Sequence, residues 1–205
     1  MILPFWVTVL SVAASAFAGV LWAGRFSGVT LPRWAAPLAA IVGLGLVLGL
    51  GRPTALGPML WTCALVAPLT ALGAIDAATR QLPDLLTVPL IALGLARMAL
   101  TGGPVALAGG IAIGLFLLAL MVDRFAPDAA IGAGDILLAG VALAWLGPAP
   151  LLELAIFATL LLWLQFLVRL ARRGLGAGAA DHGMPLAPAF SLALMALWLA
   201  DLPPG

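Results

Sequence analysis

Between Pro53 and Ile75 the chain carries no charged residue, and apolar runs of this kind recur along its whole length. A helix that crosses a bilayer needs ~20 mainly apolar residues. Runs with little or no charge predict eight such segments, near residues 2–23, 35–51, 54–75, 85–100, 104–122, 135–147, 150–168 and 185–200. Composition agrees, with 64% of the 205 residues hydrophobic and 8% charged. A soluble domain would be about a quarter charged. The expected fold is all-α, a polytopic transmembrane helix bundle. Its parts are an N-terminal helix pair over residues 1–52 and a helical core over residues 53–205.

Charge excludes several function classes. The net charge of +1 points to no acidic partner. Basic clusters of the sort that nucleic acid requires are missing, so no nucleic acid is expected. Cys63 is the sole cysteine and His182 the sole histidine. Neither an internal disulfide nor a zinc site can be built from them. No metal and no cofactor are expected. The first apolar run has no Lys or Arg before Arg25, whereas a signal peptide opens with positive charge. It reads as a retained spanning helix with its N-terminus outside.

That orientation sorts the arginines. Arg25, Arg33, Arg80, Arg124, Arg169, Arg172 and Arg173 fall inside, and Arg52 alone falls in an outer loop. The bias follows the positive-inside rule. Arg97, near the outer end of the fourth segment, is expected to snorkel to the interface. The tryptophans, among them Trp6, Trp22, Trp34 and Trp198, read as an aromatic belt. Gly45 with Gly49, and Gly110 with Gly114, have the spacing of close helix packing.

The same arrangement places Asp76 and Asp135 together at the cytoplasmic side. Ionisable groups at membrane depth are functional candidates by default. Asp76 ends the third apolar run, and Asp135 follows Gly132-Ala133-Gly134 and opens the sixth. Two carboxylates brought close together share one proton. The ionised member takes a proton from water, and the protonated one polarises a peptide carbonyl. Glycines beside an aspartate leave room for a substrate backbone. Arg80 would act on Asp76 if the helix continued past it.

These residues resemble the type IV prepilin peptidase family, a branch of the GxGD intramembrane aspartic proteases. Asp76 with Leu82-Pro83 is similar to the family's first signature. Gly132, Gly134 and Asp135 match its second, and Gly147 fits the glycine that ends the following helix. Pro185-Leu186-Ala187-Pro188 resembles a turn before the last helix. The likeness covers roughly residues 54–200. It implies an aspartic endopeptidase with Asp76 and Asp135 catalytic and Gly132, Gly134 and Pro83 supporting the motif. The implied substrate is a prepilin or pseudopilin, cut at the cytoplasmic face of the inner membrane, with lipid as the surroundings. Its short basic leader would meet acidic groups, and Asp84 and Asp128 are the candidates.

Two departures stand out. Leu137 occupies the place of a common lysine. The loop after the first helix carries no cysteine, so no methylation of the product by this chain is expected. Two other readings use the same aspartates or their surroundings. One is a small transporter or proton relay; the other is a catalytically weakened relative that serves as an assembly partner in a secretion system. The oligomeric state is left open.

Overall fold

Lipid offers no partner to a backbone N–H or C=O, so an apolar chain satisfies both within helices. The computed structural model follows that rule. It describes residues 5–26, 35–50, 56–126, 132–173 and 184–201. Among them are eight helices and no strand: α1 Phe5–Phe26, α2 Ala35–Leu50, α3 Leu56–Thr79, α4 Asp84–Leu100, α5 Val105–Phe125, α6 Ala133–Leu146, α7 Leu151–Arg173 and α8 Ala187–Ala200. Each lies on one of the eight apolar runs. Helix α3 continues a full turn past Ile75 and so carries Asp76 inside the helix.

By length and composition, α3, α5 and Leu151–Val168 of α7 are long and apolar enough to cross a membrane. Val9–Arg25, Ala35–Gly45, Ala133–Leu146 and Ala187–Ala200 are shorter apolar stretches. The bundle is that of a membrane protein. Its outer helices show this most clearly: Ile113, Leu117, Leu120 and Met121 of α5 and Leu152, Leu160, Trp163 and Leu164 of α7 are all more than half exposed. In water such a surface would aggregate; in a bilayer it faces acyl chains.

Helix α3 is the axis of the fold. Ala16 and Gly19 of α1 meet Thr70 and Ala67 of α3, and Ala23 clusters with Ala71 and Ile75, so α1 and α3 run parallel. Helix α8 runs against α3, with Pro188 beside Gly73 at one end and Trp198 bonded to Thr62 at the other. Helices α4 and α6 run parallel, with Gly94 beside Trp145 and Gly140 beside Ile91. The backbones of α3 and α6 stay apart, and the two helices meet through side chains, Trp61 against Trp145. Helix α4 packs on both, and α8 packs on both.

The end of the bundle formed by the start of α3 and the ends of α4, α6 and α8 is tied by aromatic side chains. The Trp145 indole N–H donates to the Leu90 carbonyl at 2.9 Å, and that of Trp198 donates to Thr62 Oγ1 at 2.9 Å. Trp145 meets Trp61 and Trp198 edge to face, with ring centroids 6.2 and 5.5 Å apart. Arg97 lies over the Trp198 ring, 4.1 Å from its centroid, and donates to the Trp145 carbonyl at 2.9 Å. That carbonyl belongs to the last turn of α6, where no helical N–H can reach it.

Arg97 is half-buried, and its guanidinium closes the end of α6. Two expectations need correction here. Trp22 is exposed as a belt residue would be, but Trp198 is buried, because its indole N–H finds Thr62 inside the bundle. The side chain of Trp6, and Trp34 as a whole, lie outside the described residues. Gly45, Gly110 and Gly114 have nothing within 4 Å of where a Cβ would stand, so they mark no close helix packing. Glycines that bring helices together lie elsewhere: Gly19, Gly73, Gly94 and Gly140. Spacing along one helix does not reveal which face a neighbour covers.

Candidate active site

Asp76 lies in the last turn of α3, and its side chain is buried at 6% exposure. The helix ends three residues on, at Thr79. The Arg80 N–H donates to the Asp76 carbonyl at 2.9 Å, and Arg80 itself adopts the left-handed conformation with φ 61°. A helix closed this way usually has glycine at that point. So α3 does not continue through Arg80, and the arginine does not reach Asp76 along a helix face. It reaches the site by the turn of the chain.

Asp135 is delivered differently. Gly132 caps α6 in an extended conformation, and the Asp135 N–H donates back to the Gly132 carbonyl at 3.1 Å. This puts Asp135 in the first turn of α6. Its carboxylate faces the Gly132 N–H and lies within electrostatic reach of Asp76. It is half-buried.

The two carboxyl groups open on one cavity of about 190 Å³, lined also by Arg80, Leu82, Gly132, Gly134, Met184 and Leu186. The backbones of α3 and α6 stay apart, and space remains between the ends that carry the aspartates. Helix α8 closes one side. The Ala187 N–H, at its first turn, donates to Asp76 Oδ2 at 2.9 Å, and this bond is buried. A helix N-terminus has N–H groups without internal partners and a partial positive charge, so a carboxylate there is held in place.

The motif residues divide in what they do. Pro83 caps α4: in its extended conformation its carbonyl accepts from the N–H groups of Leu86 and Thr87 at 2.9 and 3.3 Å. Gly147 ends α6 with φ 79°. Gly132 keeps its room, since a Cβ there would meet only Asp135 Oδ2, at 3.8 Å. Gly134 does not leave room for a substrate on its Cβ side. A Cβ would stand 2.7 Å from the Leu82 Cβ, so this glycine admits Leu82 instead. The two signatures, far apart in sequence, touch at that point.

Asp84 is exposed in the first turn of α4 and does not line the cavity. Asp128 lies outside the described residues, as does His182. Leu137 is buried at 3% exposure. Met184, Leu186 and the Ala187 N–H are the parts that sequence reasoning did not assign. Their signal was the proline pair Pro185 and Pro188, which marks a helix start without saying what that start faces.

Two aspartates from separate helices, on one cavity, with the start of a third helix bonded to one of them, is an arrangement suited to water activation. Residues 63–168 match the type IV leader peptidase family. The chain belongs to that family. It is a membrane peptidase by that membership, and a protein substrate follows from it. The match includes Asp76, Pro83, Gly132, Gly134 and Asp135, and stops before the Ala187 end of the site. No curated protein and no solved structure matches the chain. Both aspartates lie within the matched residues, and the buried contact from Ala187 to Asp76 comes from beyond them.

Proposed function

We propose that this chain is an aspartic endopeptidase of the inner membrane. It removes the short basic leader from type IV prepilins or pseudopilins at the cytoplasmic face. The observation that carries the reading is the meeting of Asp76 and Asp135 on one cavity at the ends of α3 and α6. Both carboxylates lie at helix ends, not midway along a span. That favours a scissile bond at the membrane boundary over a proton path through it.

The chemistry needs only the pair and water. With one proton between them, the ionised carboxylate takes a proton as the water oxygen bonds to the peptide carbon. The other carboxyl protonates the carbonyl oxygen. The tetrahedral adduct then collapses: the C–N bond breaks, the amine takes the proton first removed from water, and a hydroxyl returns its proton to the pair. Water has been added across the peptide bond and the dyad is restored. The acidic groups that would meet a basic leader are Asp84, exposed at the start of α4, and Asp128.

Co-expression with a prepilin tests this. The expected result is a shorter pilin on a gel with the native chain and an unprocessed one with Asp76→Asn or Asp135→Asn. Processing that survives both substitutions would remove the dyad from the mechanism.

A further inference from the structure

Arg80 is the charged group at the site that the two-aspartate chemistry leaves without a task. It lines the cavity with Asp76 and Asp135, and among the described residues lining that cavity it is the one cation. Its backbone is left-handed, and among the described residues no other non-glycine residue has a positive φ. Glycine or asparagine is the usual choice at such a helix end. An arginine there accepts a conformational cost that neither of those residues would carry. Its N–H is bonded to the carbonyl of Asp76, so the turn that points its side chain is tied to the residue bearing the carboxylate. Its charge is also felt at Asp76.

The geometry points to Arg80 as a third catalytic residue, whose guanidinium donates hydrogen bonds to the carbonyl oxygen of the bond being cut. This rests on the peptidase reading above. As the water oxygen bonds to the carbonyl carbon, the π pair moves onto the carbonyl oxygen. Until that oxygen takes the proton of the second carboxyl, it carries negative charge. Arg80 is exposed, and the turn holds its backbone. A donor that meets the charge only as it develops lowers the barrier without tightening ground-state binding. Guanidinium suits the task because its planar fork presents several N–H groups and keeps its charge. The basic leader argues the same way. A cation in the cavity would repel a basic residue, so Arg80 does not serve to bind the leader; it meets an oxygen.

The test is steady-state cleavage of a prepilin by the purified full-length chain in lipid nanodiscs, with thermal stability measured alongside. Arg80→Gly suits the left-handed backbone, so its melting temperature is expected to equal or exceed that of the native chain. Its kcat is expected to fall by about 100- to 1,000-fold, with KM changed by less than about threefold. Arg80→Asn, which also tolerates this backbone, carries the same expectation and serves if the glycine variant is poorly made. Arg80→Lys keeps a donor and is expected to retain kcat between the two. An unchanged kcat in Arg80→Gly overturns the assignment. So does a raised KM with kcat intact, since that is ground-state binding. Asp76→Asn and Asp135→Asn, run in the same assay, separate the two levels. Cleavage that needs both aspartates but ignores Arg80→Gly sinks only the assignment of Arg80. Cleavage that ignores the aspartates, or no cleavage by the native chain, sinks the peptidase reading and this assignment with it.

Discussion

At the scale of single residues, the two glycines of the Gly132-Ala133-Gly134-Asp135 turn are not equivalent. Gly132 has an extended backbone with φ −75°, open to any residue, and nothing but a carboxylate oxygen near its missing Cβ. Gly132→Ala is therefore expected to leave thermal stability unchanged. Gly134 would drive a Cβ into Leu82, whose own Cβ is 2.7 Å away and cannot swing aside. Overpacking of this kind costs about 1–3 kcal/mol. Alanine's better helix propensity offsets at most ~1 kcal/mol of that. Gly134→Ala is expected to lower the melting temperature and to reduce leader removal, because Leu82 lines the same cavity as the aspartates. Thermal denaturation of the two purified variants checks the contrast; equal stability would mean that α6 can shift away from Leu82 at no cost.

At the scale of helices, the question is what holds α3 and α6 at the right separation when their backbones stay apart. The answer lies at the end away from the aspartates. Trp145 ties α6 to α4, Trp198 ties α8 to α3, and Arg97 joins α4 to the last turn of α6. Arg97→Met keeps the apolar stem but removes both the bond to the Trp145 carbonyl and the charge over Trp198. A hydrogen bond from a charged donor contributes about 1.5–3 kcal/mol. The variant is expected to lose stability of about that size and therefore to melt earlier. It should still process substrate at low temperature, since none of these groups lines the cavity. Loss of activity with unchanged stability would contradict this division of labour. None of this clasp was legible beforehand. Apolar runs disclosed all eight helices, because length and charge depletion are local properties. The aspartate pair was legible because each member carries its own local mark, a helix end or a glycine turn. Trp198 and Arg97 carry none, and the prolines around Ala187 mark a helix start without naming what it faces. A tryptophan near a span end looks the same whether it faces lipid or a threonine on another helix. An N–H that will hold a carboxylate looks like any other. The glycine pairs misled for a matching reason: small residues permit a neighbour but do not summon one.

At the scale of the whole molecule, the helix directions turn a local site into a statement about the membrane. Helix α1 runs parallel to α3 and α8 runs against it. The start of α1 and the end of α8 therefore lie at the Trp198 end of the bundle, and Asp76, Asp135 and the start of α8 lie at the other. Arg25 and Arg124 sit in the last turns of α1 and α5. Helix α1 ends on the aspartate side. Helix α5 ends there too, since the chain passes from it to the start of α6. Lys and Arg near span ends mark the cytoplasmic side. The aspartates should then face the cytoplasm, and the start of α1 and the end of α8 should face outward. Alkaline phosphatase, active only outside the cytoplasm, is expected to be active when fused after Asp201 and inactive when inserted between Arg173 and Met184. The reverse pattern would put the cavity on the outer face. A leader that never leaves the cytoplasm could not reach it there, and the proposed reaction would be lost whatever the aspartates can do.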